Sequence, residues 1–144
     1  MDKVNFLTKL VHEGLEGCEQ TGAVIPPIYQ TSTFRQSSPG QTKGYDYSRA
    51  DNPTRAVLEK AFASLEDAKY GLAFSSGLAA IQAIVHTLPR AGRVLVCDDV
   101  YGGTGRLFSK IFTKSGFEFK FIDTSNIDTV KDHIDSTIKM VWLE

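Results

Sequence analysis

From residue 53 onward, short apolar runs with the period of a strand alternate with longer runs spaced for a helix, and few folds accept that order. The run "RVLVC" at 93–97 is short, β-branched and continuous, as a strand buried on both faces requires. "YGLAF" at 70–74 reads as another short buried strand. Between them "GLAAIQAIVHTL" carries helical spacing and is stopped by Pro89. "TGRLFSKIFTKSG" is expected to be a helix with Leu107, Phe108, Ile111 and Phe112 inward and Gly116 as its stop. "FEFKFI" alternates as a half-buried strand, "NIDTVKDHI" is a helix opened by Ser125, and "KMVWL" a last strand. This order predicts an α/β domain with a mainly parallel sheet and flanking helices. A strand directly before Glu144 lacks its covering helix, so the 144 residues are expected to be the N-terminal part of a longer chain, or to take that cover from a partner.

Upstream the pattern differs. Phe6, Leu7, Leu10 and Val11 recur at helical spacing and predict a short amphipathic helix. From about 14 to 51 periodicity is lost while Gly, Pro, Ser, Thr and Gln accumulate, and a run of that length usually has a task or an outside partner. Pro53, capped by Asn52, then starts a helix through about Lys69, with Val57, Leu58, Ala61, Phe62 and Leu65 on its apolar face.

Composition narrows the function classes. A formal net charge of −1 and no basic-aromatic stripe give no pull toward nucleic acid. No apolar run reaches the roughly 18 residues of a membrane span, and "MDKVNFLTKLVHEG" lacks the marks of a secretory signal. Cys18 and Cys97 fit no metal or redox spacing, which agrees with a reducing cytoplasm. His12, His86 and His133 share no spacing and are expected to be structural.

Three stretches carry chemistry. In "FSSGLAAI" a helix begins after two serines and a glycine, so the N–H groups of Ser76, Gly77 and Leu78 would converge where the macrodipole is positive. Spacing alone fits an anion cradle and also a plain serine cap. In "DDVYGGTGRLF" Tyr101 follows a strand end and precedes two glycines, leaving a ring face for stacking on a flat ligand or for closing the loop. Asp98 and Asp99 read as turn and capping residues there. In "YDYSR" period-two alternation puts Tyr45, Tyr47 and Arg49 in one row; phenol and guanidinium suit a phosphate, whereas a loop covering its own core would favour a solvated surface arginine.

Taken in chain order with "PPIYQTSTF", "YDYSRADNPTR", "LAFSSGLAA", "DDVYGGT" and "VWLE", the sequence resembles the Cys/Met-metabolism family of pyridoxal-phosphate enzymes, over about residues 10–144. Within it, cystathionine γ-lyase and cystathionine γ-synthase are the most similar. The resemblance implies fold type I, the aspartate-aminotransferase type, here incomplete, and a homotetramer built as a dimer of dimers. It implies that residues 1–52 form an arm contacting the neighbouring subunit and that 53–144 begin the large cofactor-binding domain. Ser76, Gly77 and Leu78 would hold the cofactor phosphate, and Tyr47 and Arg49 would reach across the dimer to the neighbour's phosphate. Tyr101 would stack on the pyridine ring and assist proton transfer, and Arg106 would steer the distal end of an amino-acid substrate.

The implied activity is γ-elimination from cystathionine to cysteine, 2-oxobutanoate and ammonia. The alternatives are γ-replacement, as in a γ-synthase or a homoserine-ester sulfhydrylase, and a truncated, non-catalytic subunit that only dimerises. Methionine γ-lyases typically carry cysteine where this chain has Gly103, which counts against that activity. The family's covalent lysine lies in a Ser/Thr-Lys-Tyr/His-type motif, in which none of these lysines stands.

Overall fold

The computed structural model describes residues 5–89 and 92–144. They divide into two compact units, 1–73 and 74–144.

The first unit contains two helices, α1 (Phe6–His12) and α2 (Pro53–Leu65), which pack together. Asn5 caps α1, and Lys9 Nζ reaches the far end of α2, donating to Ser64 O at 3.0 Å and Asp67 Oδ1 at 2.7 Å. Pro53 stands in the first turn of α2 as expected, with Asn52 Oδ1 accepting from Thr54 N at 2.9 Å. Asn52 also donates through Nδ2 to Tyr29 O at 3.2 Å and Ser48 Oγ at 2.8 Å, tying the irregular stretch to the helix. Asn52→Ala is therefore expected to destabilise this unit by about 1–2 kcal/mol in urea denaturation, and Asn52→Asp, which keeps the cap, by less. Between the helices only isolated bridges form, in keeping with the loss of periodicity.

Two expectations fail in this unit. α2 ends at Leu65 rather than near Lys69. Residues 70–74 form no strand, because a strand exists only where a second one completes its ladder, and none does so among the described residues. The apolar stripe of α1 is uncovered, with Phe6, Leu7, Leu10 and Val11 52–69% exposed, and that of α2 only partly covered, with Leu58 and Phe62 exposed and Val57, Ala61 and Leu65 half-buried.

The second unit is built on a parallel three-stranded sheet of order β2-β1-β3, with β1 (Arg93–Cys97) central, β2 (Glu118–Ile122) and β3 (Ile138–Trp142). Helix α3 (Gly77–His86) precedes β1, and α5 (Ile127–His133) links β2 to β3. The β1–β2 connection opens with α4 (Gly102–Arg106), widens into a π-helical segment (Leu107–Ile111) and tightens into a 3-10 segment (Phe112–Ser115). Gly116 ends it in the left-handed region at φ 87°, as expected. The wide turn rotates the side chains out of α-helical register. Phe108 and Phe112 are buried as expected, Leu107 is half-buried, and Ile111 turns outward.

Asn126, not Ser125, caps α5, accepting from Asp128 N at 3.0 Å, because Ser125 is already engaged with Asp123. The core joins Val85, Val94, Val96, Phe108, Phe112 and Phe117. Phe108 stacks on Phe119 at 4.5 Å and meets the edge of Trp142 at 5.5 Å.

Two aspartates give this unit an acid limit. Asp123 accepts from the Ser125 hydroxyl and N–H, and Asp135 from the Thr137 hydroxyl and N–H with Arg93 nearby. These bonds hold both carboxyls below the ordinary value of 3.8. A lowered folded-state value means that the stabilisation is full above about pH 4 and is lost as the pH falls through the lowered value. Tm is expected to drop from about pH 4 downward, and Asp123→Asn with Asp135→Asn to flatten that slope; an unchanged slope would refute it.

Candidate functional site

Helix α3 begins at a serine-capped turn. Ser76 is extended at φ −161°, and its Oγ accepts from Ala79 N at 3.2 Å. The first-turn amides of Gly77 and Leu78 have no hydrogen-bond partner among the described residues, so both are free to meet a ligand. A Cβ placed on Gly77 would meet nothing within 4 Å, so the space over this backbone is open. Bare amides, a helix dipole and room for a group against the backbone fit a phosphate.

Tyr101 lies four residues beyond the carboxyl end of β1, in the N-cap position of α4, where its side chain caps nothing. Its ring is 64% exposed. A Cβ added at Gly103 would run into Tyr101 Cε1, with Cδ1 at 3.0 Å and Leu78 Cδ2 at 3.3 Å. The Tyr101 ring therefore rests on Gly103 beside Leu78, and the first turns of α3 and α4 meet there. Arg106 is exposed and folds back, its Nη1 3.3 Å from where a Cβ on Gly102 would stand. The structure thus gathers Ser76, Gly77, Leu78, Tyr101 and Arg106 in the second unit.

Asp98 and Asp99 do not cap α4, and no group of three or more His, Cys, Asp or Glu residues suited to a metal occurs among the described residues. Backbone bonding, Asp98 N to Ile122 O at 3.0 Å, shapes this turn instead.

Tyr47 and Arg49 belong to the first unit. Residues 32–34 and 46–48 pair antiparallel, through Phe34 N to Asp46 O and Ser48 N to Ser32 O, both 2.8 Å. On this short ribbon the Arg49 guanidinium lies 4.9 Å from the Tyr47 ring centre, a cation–π contact worth roughly 0.5–1 kcal/mol when exposed. Tyr45 departs from the expected row and packs on Phe34 at 5.6 Å. Both Tyr47 and Arg49 are exposed, and no oxygen partner meets the guanidinium among the described residues. Arg55, by contrast, is tied to Ala50 O, Asp51 and Glu59 and serves the fold.

Sequence reasoning missed Thr104, which is fully buried, and did not give Glu144 a role. Thr104 Oγ1 donates to Glu144 Oε1 at 3.2 Å across 40 positions, a separation that no local pattern signals.

Parallel α/β architecture with an open, serine-capped helix N-terminus and an exposed aromatic beside it defines a class of domain suited to a flat phosphorylated cofactor. Comparison with known proteins makes the class specific. Residues 7–144 match the family described as Cys/Met metabolism PLP-dependent enzyme. A probable cystathionine gamma-synthase of Herpetosiphon aurantiacus is 45% identical over 139 residues, covering 96% of this chain and 44% of that protein. The cystathionine gamma-lyase of Bos taurus is 45% identical over 141 residues, 97% of this chain and 35% of that protein. A cystathionine beta-lyase of Lactococcus lactis subsp. cremoris is 45% identical over 137 residues, 95% of this chain and 36% of that one. The crystal structure of metB from Corynebacterium glutamicum superposes with a TM-score of 0.94 at 40% identity, covering 99% of this chain and 37% of that chain. The chain belongs to the Cys/Met metabolism PLP-dependent enzymes, a transsulfuration family whose cofactor is pyridoxal phosphate. It spans less than half the length of these relatives. No helix among the described residues is long and apolar enough to cross a membrane.

Proposed function

We propose that the protein carrying this chain is a cytoplasmic carbon–sulfur lyase acting at the γ-carbon of cystathionine, yielding cysteine, 2-oxobutanoate and ammonia. The observation that carries the reading is the meeting of the two helix starts at Gly103, with open amides on one side and the Tyr101 ring on the other. In this reading Ser76, Gly77 and Leu78 hold the cofactor phosphate through charge-assisted hydrogen bonds, each worth about 1.5–3 kcal/mol. Bound there, pyridoxal phosphate would supply an electron sink for the pair left when a substrate carbon loses its proton. The exposed Tyr101 ring would stack on the cofactor, and its hydroxyl would hold or move a proton near the substrate amine. Arg106, exposed beside Gly102, receives the distal carboxylate of the substrate.

Tyr47 and Arg49 complete the phosphate site of a neighbouring copy in a dimer of dimers. Their outward-facing pair, the exposed apolar stripe of α1 and the exposed Leu58 and Phe62 of α2 support this, since an arm with so little cover of its own needs another surface. A mixture of Arg49→Ala and Tyr101→Phe proteins, each nearly inactive alone, is expected to regain activity after subunit exchange, because one site per mixed dimer then has both groups intact. No recovery would place each site within one subunit.

The choice among reactions is tested on products. With cystathionine alone, release of 2-oxobutanoate and cysteine supports cleavage at the γ-carbon. Pyruvate and homocysteine would mean the β-carbon, as the name of the Lactococcus relative implies for that protein. Formation of cystathionine from an acylated homoserine and cysteine, without keto acid, would replace the reading by γ-replacement.

A further inference from the structure

Thr104 is the one fully enclosed polar side chain among the described residues. Its hydroxyl donates to Glu144 Oε1 at 3.2 Å, while the other carboxylate oxygen, Oε2, accepts from Trp142 Nε1 at 3.1 Å. One carboxylate thereby joins the first turn of α4 to the end of β3. A buried hydroxyl deprived of its acceptor is costly, so this tether is not readily exchanged for another arrangement.

The residue before Thr104 is Gly103, the bare surface on which the Tyr101 ring rests. The ring makes no side-chain cap and is largely exposed, so nothing on its outer side holds it. Its orientation depends on where the backbone of 103 and 104 is kept, and the Thr104 side chain on that backbone is bonded to Glu144. We propose that Glu144 is a positioning residue, acting through Thr104 to fix the seat on which the Tyr101 ring lies. What that ring does in catalysis rests on the cofactor reading above; the seat itself does not.

The test uses the cofactor-free chain with 3-fluorotyrosine placed at 101, read by fluorine NMR. Thr104→Val keeps the volume and removes the hydroxyl, and is expected to move and broaden the fluorine line. Thr104→Ser, which restores the donor, is expected to return the line toward its original position, a rescue that simple loss of packing would not give. Glu144→Ala, which removes both acceptor oxygens at an exposed residue, is expected to move the same line. It should also shift the emission of Trp142, the chain's only tryptophan. If Thr104→Val fails to fold, Glu144→Ala alone decides.

A fluorine line unmoved in a folded Thr104→Val or Glu144→Ala protein overturns the proposal. Titration with pyridoxal phosphate separates the two ideas. If the line moves but the cofactor binds wild type and variant alike, the seat stands and the role given to Tyr101 falls.

Discussion

Phe108→Ala is expected to destabilise the second unit by about 3–5 kcal/mol, lowering Tm by roughly ten degrees or more. Phe108 has no exposed surface, stacks on Phe119 of β2 and abuts Trp142 of β3, so its ring holds both outer strands to the layer above β1. Truncation leaves a cavity bounded by groups that belong to different elements and cannot collapse together. Against the 5–15 kcal/mol typical of a domain, the loss approaches the whole stability. Phe108→Leu, which refills most of the volume, should cost less. A measured loss below about 1 kcal/mol for the alanine variant would mean that the ring is not a central support.

Gly77→Ala is expected to do the opposite: little to the fold, much to the ligand. No atom lies within 4 Å of the added methyl, so the helix accepts it, and alanine in a helix is favoured over glycine. The methyl would stand in the space over the first-turn amides and keep a phosphate from reaching them. Losing one such charge-assisted bond weakens binding roughly tenfold to a hundredfold. Equilibrium dialysis with pyridoxal phosphate, beside thermal melts, measures both quantities. Unchanged affinity in a folded protein would remove this helix start from the phosphate site.

Features that depend on a few neighbouring residues were legible before any coordinates. The strand at 93–97, the Asn52 cap before Pro53, the helix starting at Gly77 and the stop at Gly116 each follow from local spacing, a short polar side chain or a left-handed φ. The serine-capped helix start at 76–78 and the exposed ring at 101 were visible for the same reason, since they are a helix start and a strand exit. Local reasoning failed where neighbours compete. Ser125 and Asn126 are both good caps, and Asp123 decides between them by engaging the serine. Ile111 has the spacing of a core residue, yet the π-helical turn carries it outward.

Order along the chain was thus enough for a parallel α/β unit and the turns that open α3 and α4, because hydrophobic period and capping act over single turns of backbone. Residues 70–74 needed a partner strand that no local pattern supplies, and the apolar stripes of α1 and α2 needed a surface to meet. The Glu144 bridge to Thr104 came from folding alone, because contacts between side chains 40 positions apart follow from packing and leave no periodic trace.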